Sequence, residues 1–327
     1  MTVTFEDIRL AAQRLEGLAI RTPLMESQAL NDRLGLRVLI KPETLQRVGA
    51  FKFRGAFNRL AQIPQAARSA GVVAFSSGNH AQGVALAARM LGMPALIVMP
   101  ADAPQVKVDA TRGYGAEIRL YDRMKEDRIA IAAEIARDRG ATVVPAFDDL
   151  DVIAGQGTVG LEMVQQAEAI HAELDMFICP VGGGGLLAGS SLAVKALSPK
   201  TLVVGVEPAG FDDTRISFEA GVRQGLTPTT RSLCDALESP APGELTFPIL
   251  QTTLKEIAVV SDAEVADGMR YAFSTLKLVV EPGGVVGLAA LLARRVASLR
   301  SGQTVGLVLS GGNVDPGLFA RVLQGDY

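Results

Sequence analysis

Short apolar runs alternate along this chain with stretches of helical periodicity, and several runs give way directly to glycine- or serine-rich turns. Runs at Val72 to Phe75, Ala95 to Met99, Ile118 to Tyr121 and Thr142 to Val144 alternate with helical patterns at Gln82 to Leu91, Gln105 to Tyr114 and Arg128 to Arg137. A second series of strands is expected near Met176 to Cys179, Leu202 to Val206, Glu256 to Val260 and Thr304 to Leu309. Such alternation predicts parallel strands joined by crossover helices, hence an α/β chain with two open, mostly parallel sheets. The 327 residues suffice for two domains. A large unit is expected over 1–69 and 149–327, and a small one over 70–148. In open parallel sheets ligands bind beyond the carboxyl ends of the strands, so the cleft between the units is the expected site.

Four segments at strand ends or helix starts carry chemistry. In Gly49-Ala50-Phe51-Lys52-Phe53-Arg54-Gly55-Ala56 a lysine lies between two aromatic residues at an expected helix start. Partial desolvation there lowers an amine's pKa and frees it to attack a carbonyl. Val181-Gly182-Gly183-Gly184-Gly185-Leu186 joins a strand to a helix, the layout of a phosphate cradle built from backbone N–H groups and a helix N-terminus. Ser76-Ser77-Gly78-Asn79-His80-Ala81-Gln82-Gly83 gathers hydroxyl, amide and imidazole groups at a helix start, which suits a carboxylate. Leu309-Ser310-Gly311-Gly312-Asn313 offers a hydroxyl at a strand end that can meet a ring nitrogen.

Two further readings compete for the glycine loop and the strand after it. Gly183 to Ala188 also satisfies the G-x-G-x-x-A dinucleotide fingerprint, with Glu207 near the position of a ribose-binding acid. That reading leaves the lysine octet, the Ser-Ser-Gly-Asn-His loop and the terminal Ser-Gly-Gly-Asn as coincidences. Glu207 and Asp213, with the carbonyl of Phe211, alternatively form a hard-oxygen set for Mg, Mn or Ca, while Asp212 or Asp213 could instead cap a helix.

With these segments in order from Thr22-Pro23-Leu24 to the last Ser-Gly-Gly-Asn, the chain resembles a fold-type II pyridoxal-phosphate enzyme, similar to tryptophan synthase β in architecture and to the threonine/serine dehydratase and serine racemase family, 3-hydroxyaspartate dehydratases included. Ala154-Gly155-Gln156-Gly157-Thr158 belongs to the same set of motifs. The resemblance implies pyridoxal 5'-phosphate as cofactor, Lys52 as the lysine that binds it covalently, Phe51 packed beside it and Asn79 on its ring hydroxyl. It further implies Gly182, Gly183, Gly184 and Gly185 around the phosphate and Ser310 at the pyridine nitrogen. Ser76, Ser77, Asn79, His80 and Gln82 would surround the substrate carboxylate. A divalent cation on Glu207, Phe211 and Asp213 and a homodimer are implied as well. The expected activity is β-elimination from a 3-hydroxy-α-amino acid to a 2-oxo acid and ammonia.

Ser77 keeps racemisation open, because a serine there serves serine racemases as a second acid/base. Arg128 matches by spacing an arginine of the serine racemase active site; a guanidinium suits the second carboxylate of 3-hydroxyaspartate and does nothing for the methyl of threonine. The chain departs from the family pattern at Lys41-Pro42-Glu43-Thr44, Cys234-Asp235-Ala236 and Glu281-Pro282-Gly283-Gly284, all expected around the site. A non-catalytic amino-acid sensor would have no use for Lys52.

A net charge of -3 without a long basic run argues against nucleic acid or an anionic membrane as partner. No apolar run reaches membrane-spanning length, the helix-patterned Thr4 to Ala12 is unlike a secretion signal, and two distant cysteines suggest neither disulfides nor zinc. A cytoplasmic enzyme acting on a small amino acid, without an appended regulatory domain, is the resulting expectation.

Overall fold

The computed structural model describes residues 2–76, 78–103, 105–227 and 231–327. Among the described residues ten strands form two sheets: β1 (Met25–Glu26), β2 (Arg37–Pro42), β3 (Val72–Phe75), β4 (Ala95–Pro100), β5 (Glu117–Tyr121), β6 (Thr142–Val143), β7 (Met176–Pro180), β8 (Leu202–Pro208), β9 (Glu256–Val260) and β10 (Thr304–Leu309). The larger sheet runs β1-β2-β10-β7-β8-β9 and the smaller runs β5-β4-β3-β6. β1 pairs antiparallel with β2, and the other strand pairs of both sheets are parallel.

Parallel strands covered on both faces need apolar residues in both phases of their pleat. In the larger sheet Val38, Ile40, Ile178, Val204 and Leu307 enter one core, while Leu39, Phe177, Cys179, Val203 and Val308 enter the opposite one. The smaller sheet divides in the same way, Val72, Ala74, Ile97 and Met99 against Val73, Leu96 and Val98. The strands expected from sequence are all present. β1 and β2 are additional to them, β2 carrying a lysine, Lys41, among its apolar residues.

Lys41 is wholly buried, and its ammonium donates to Glu162 Oε2, Gln166 Oε1 and the Thr22 carbonyl, each at 2.7 Å. Beside it Arg54, also fully buried, grips Glu43 with Nε at 2.8 Å and Nη2 at 2.9 Å and reaches Glu162 Oε1 with Nη1 at 2.7 Å. Two wholly buried cations therefore balance two carboxylates, Glu43 buried and Glu162 partly exposed, joining β2, the Lys52–Ala61 helix and the Leu150–Ala169 helix. Removing one member of such a set leaves a buried charge uncompensated, at a cost of about 3–5 kcal/mol. Among the described residues no helix is long and apolar enough to cross a membrane.

Candidate active site

The carboxyl ends of β3, β7 and β10 open onto one cavity of about 260 Å³, walled by Lys52, Asn79, Arg128, Gly182 to Gly185, Glu281 and Ser310 among others. Residues spread over most of the chain meet there because the Gly49–Phe51 segment pairs with the end of β10. Ala50 bridges Gly311, the Phe51 N–H donates to the Ser310 carbonyl at 3.1 Å, and the Gly312 N–H donates to the Gly49 carbonyl at 2.9 Å. Lys52, which opens the next helix, is thereby set beside Ser310.

The Lys52 ammonium donates to the Ala146 carbonyl at 2.7 Å and lies 5.1 Å from the centre of the Phe51 ring. Burial lowers its pKa to about 8, against the pull of the Glu281 carboxylate. An amine with this pKa has a substantial neutral fraction near pH 8, the state needed for attack on an aldehyde. Phe53 does not take part: it turns into the core, its ring 5.6 Å from that of Phe57. Of the two flanking aromatics in the sequence, only Phe51 lines the cavity.

Beyond β7, Gly184 takes a positive φ of 95° and the helix Gly185–Leu197 begins. The Gly183 carbonyl is drawn aside by the Thr246 hydroxyl at 2.7 Å and the Gly243 N–H at 3.1 Å. A first side-chain carbon on Gly183 would collide with the Phe147 ring, and one on Gly184 would lie 2.7 Å from Thr246 Oγ1. Space requires glycine at both positions and the dihedral requires it at Gly184, and the helix start, whose first N–H groups have no partner within the helix, borders the cavity, which suits a phosphate.

Asn79, Glu281 and Asn313 form a hydrogen-bonded row. Asn79 Nδ2 donates to Glu281 Oε1 at 2.6 Å, and Asn313 Nδ2 donates to Asn79 Oδ1 at 2.8 Å and to the Val48 carbonyl at 2.6 Å. Burial first, then the Asp235 charge, lift the Glu281 pKa to about 7 in spite of Asn79, Lys107 and Lys52.

The carboxylate loop is assembled only in part. Ser76, Asn79 and His80 line the cavity, whereas Gln82 is buried on the helix and is not a wall residue. The His80 side chain departs from the expected role. Its Nε2 lies 2.9 Å from the Val144 carbonyl and is the protonated nitrogen, which leaves the buried Nδ1 as an acceptor without a partner among the described residues. Burial, with the Lys52 charge, lowers its pKa to about 3, so the ring is neutral and has no second N–H for a carboxylate. Ser77 lies outside the described residues.

Arg128, the first residue of the helix Arg128–Arg139, lines the cavity with its guanidinium carbon 5.7 Å from the centre of the Phe75 ring. Among the described residues it has no carboxylate partner. Sequence reasoning missed Lys107, whose ammonium reaches Asp235 Oδ2 at 2.7 Å, both residues being cavity walls. Among the described residues it is the single ion pair joining 70–148 to the rest of the chain. Nothing in the periodicity of Gln105 to Tyr114 distinguishes Lys107 from a surface lysine.

Glu207 ends β8 far from a ribose-binding role: its carboxylate accepts the N–H groups of Thr214 at 3.0 Å and Arg215 at 2.9 Å. Glu207, rather than Asp212 or Asp213, therefore caps the helix Asp213–Ala220. Both Asp213 carboxylate oxygens are buried without a hydrogen-bond partner among the described residues. Burial raises the Asp213 pKa to about 7 and, with the Asp213 charge, that of Glu207 to about 8.

The family model described as pyridoxal-phosphate dependent enzyme matches residues 15–311. An L-threo-3-hydroxyaspartate ammonia-lyase of Pseudomonas sp is 48% identical over 98% of this chain and 99% of its own length. An L-threonine ammonia-lyase of Thermotoga maritima is 38% identical over 98% of this chain and 78% of its own. The structure of maize serine racemase superposes with a TM-score of 0.92 at 36% identity, covering 100% of this chain and 98% of that one.

Proposed function

The chain belongs to the pyridoxal-phosphate dependent enzymes, and from that premise we propose that it converts a 3-hydroxy-α-amino acid bearing a second carboxylate, of the 3-hydroxyaspartate class, to a 2-oxo acid and ammonia. The cavity fits the cofactor: the space a side chain would need at Gly183 and Gly184 is already filled, so the phosphate turn admits glycine alone. Gly182 to Gly185 would hold the phosphate, Lys52 the aldehyde carbon, Asn79 the ring hydroxyl and Ser310 the ring nitrogen. When bound, pyridoxal phosphate supplies covalent capture of the substrate amine and an electron-withdrawing ring beside its Cα.

The chain's own groups do the rest. Lys52, with its lowered pKa, takes the proton from the substrate Cα. The Ser76 hydroxyl and Asn79 stand at the helix start where the α-carboxylate is received. A neutral Ser310 does not hold a ring nitrogen protonated as a carboxylate would, which leaves a weaker electron sink. Elimination, in which charge leaves promptly with the 3-hydroxyl, tolerates that better than transamination.

The observation that carries the choice of substrate is Arg128, a guanidinium on the cavity wall without a carboxylate of its own among the described residues. Its fork matches a second substrate carboxylate. Support for a cation bound by Glu207, Asp213 and the Phe211 carbonyl comes from the two orphaned Asp213 oxygens. Movement of 70–148, a homodimer and a cytoplasmic setting complete the reading.

The test is release of 2-oxo acid and ammonia from the 3-hydroxyaspartate diastereomers, L- and D-serine and L-threonine, with a chiral assay of residual substrate. Preferential turnover of a hydroxyaspartate is expected. Preference for serine or threonine removes the role given to Arg128, and inversion without release makes the enzyme a racemase.

A further inference from the structure

An amide is the one side chain whose two ends are nearly equal in size and opposite in hydrogen-bonding sense, so what Asn79 offers a ligand depends on which way it is turned. Its neighbours decide the matter from both ends. At one end stands the Val48 carbonyl, which can only accept; it takes an N–H of Asn313 at 2.6 Å. The other N–H of Asn313 then reaches Asn79 Oδ1 at 2.8 Å. At the far end the Glu281 carboxylate, also an acceptor when ionised, takes an N–H of Asn79 at 2.6 Å. With Glu281 ionised, above its pKa of about 7, turning either amide over would set two acceptors against each other at Val48 or at Glu281. One N–H of Asn79, a wall residue of the cavity, is left over.

The Val48 end shows that the row is enforced by the fold. Val48 takes φ 57° and ψ 13°, left-handed backbone that a β-branched residue rarely adopts. Such strain persists where surrounding structure overdetermines it. Here it directs the Val48 carbonyl to Asn313, and the adjoining Gly49–Phe51 segment is pinned to Ser310 and Gly312 by the backbone bonds that position Lys52.

We propose that Glu281 and Asn313 are positioning residues that, with the Val48 carbonyl, lock the Asn79 amide so that it presents an N–H rather than a carbonyl oxygen to the ring oxygen of bound pyridoxal phosphate. An N–H at that point favours the ionised ring oxygen and hence the visible-absorbing form of the bound cofactor. The inference rests on the family's cofactor and is independent of which amino acid is turned over.

Holoenzymes carrying Glu281→Gln, Asn313→Ala, Asn79→Asp and the pair Asn79→Asp/Glu281→Gln are compared with wild type at about pH 8.5, where Glu281 is ionised, by cofactor dissociation constant, ratio of visible to near-ultraviolet absorption, and unfolding midpoint. Glu281→Gln replaces a charge-assisted bond by a neutral one and permits either orientation. A loss of cofactor affinity of about tenfold and a lower visible fraction are expected. Asn313→Ala leaves every charge in place and is expected to shift the absorption the same way. A shift in Glu281→Gln alone would mean that charge, not orientation, is at work, and overturns the proposal. In the double variant the introduced amide can donate to the introduced carboxylate, so the unfolding midpoint recovers relative to Asn79→Asp while affinity stays about tenfold or more below wild type. Wild-type affinity and absorption in the double variant would refute the lock. If Asn79→Asp does not fold, Glu281→Gln and Asn313→Ala decide: unchanged affinity and absorption in both overturn it.

Discussion

Replacing Arg128 by methionine should change which substrate the enzyme prefers without impairing the enzyme. Methionine keeps an unbranched apolar stem against Phe75, where the guanidinium carbon lies 5.7 Å from the ring centre, and removes only the charge and the donor fork. Truncating one partner of a hydrogen-bonded charge pair costs about 2–5 kcal/mol. Arg128 is exposed at the start of its helix, so solvent screening places the effect at the low end, about 2 kcal/mol. That is about 30-fold in kcat/KM at 1.4 kcal/mol per decade. The assay is 2-oxo acid release from L-threo-3-hydroxyaspartate and from L-serine, by wild type, Arg128→Met and Arg128→Lys. The hydroxyaspartate value should fall about 30-fold and the serine value by less than about threefold, with lysine between because it keeps the charge and loses the fork. Equal losses on both substrates would mean that Arg128 acts through its helix, and no loss on either would return it to the surface; each refutes the assignment.

Gly183→Ala should lower cofactor affinity by about tenfold or more with the circular dichroism unchanged, since the new methyl collides with Phe147 in the turn proposed for the phosphate; unchanged affinity would move the phosphate elsewhere. Lys107→Asp and Asp235→Lys should each lower kcat/KM for every substrate alike, by about three- to fivefold given the half-exposed Asp235, and the double swap should recover most of it. If the double swap adds the two losses, the pair does not hold the cleft together. Mg should raise the unfolding midpoint, and more at pH 8 than at pH 6. The raised pKa values of Asp213, about 7, and Glu207, about 8, mean that the folded chain keeps protons the unfolded chain has released. Stability therefore falls as pH climbs from about 5 through 8, and a cation that takes the protons' place offsets the loss. Asp213→Asn should abolish the Mg effect; a shift that survives it would locate the cation elsewhere.

Strand-helix alternation was legible because period-two and helical patterns are local, and the two sheets followed from it. β2 escaped notice because Lys41 interrupts its pattern; the carboxylate that balances that lysine in the interior lies more than a hundred positions away. Lys52 and the glycine turn were legible since their chemistry lies in adjacent residues. Lys107 and the row through Glu281 and Asn313 were not, because each pairs across a large sequence separation. His80 misled for a related reason: its partner, the Val144 carbonyl, is a backbone atom that no side-chain pattern reveals.

The quartet of Lys41, Glu43, Arg54 and Glu162 has a consequence for how two helices pack. Glu43 and Arg54 are close in sequence, but Glu162 comes from the Leu150–Ala169 helix, more than a hundred positions away from Arg54. Without Glu162 one positive charge in excess would be enclosed, and a packing slip of one helical turn would leave it unpaired. The quartet thus fixes the register of the Leu150–Ala169 helix against the Lys52–Ala61 helix. Lys52, the first residue of that shorter helix, holds its place on the cavity wall through the same register.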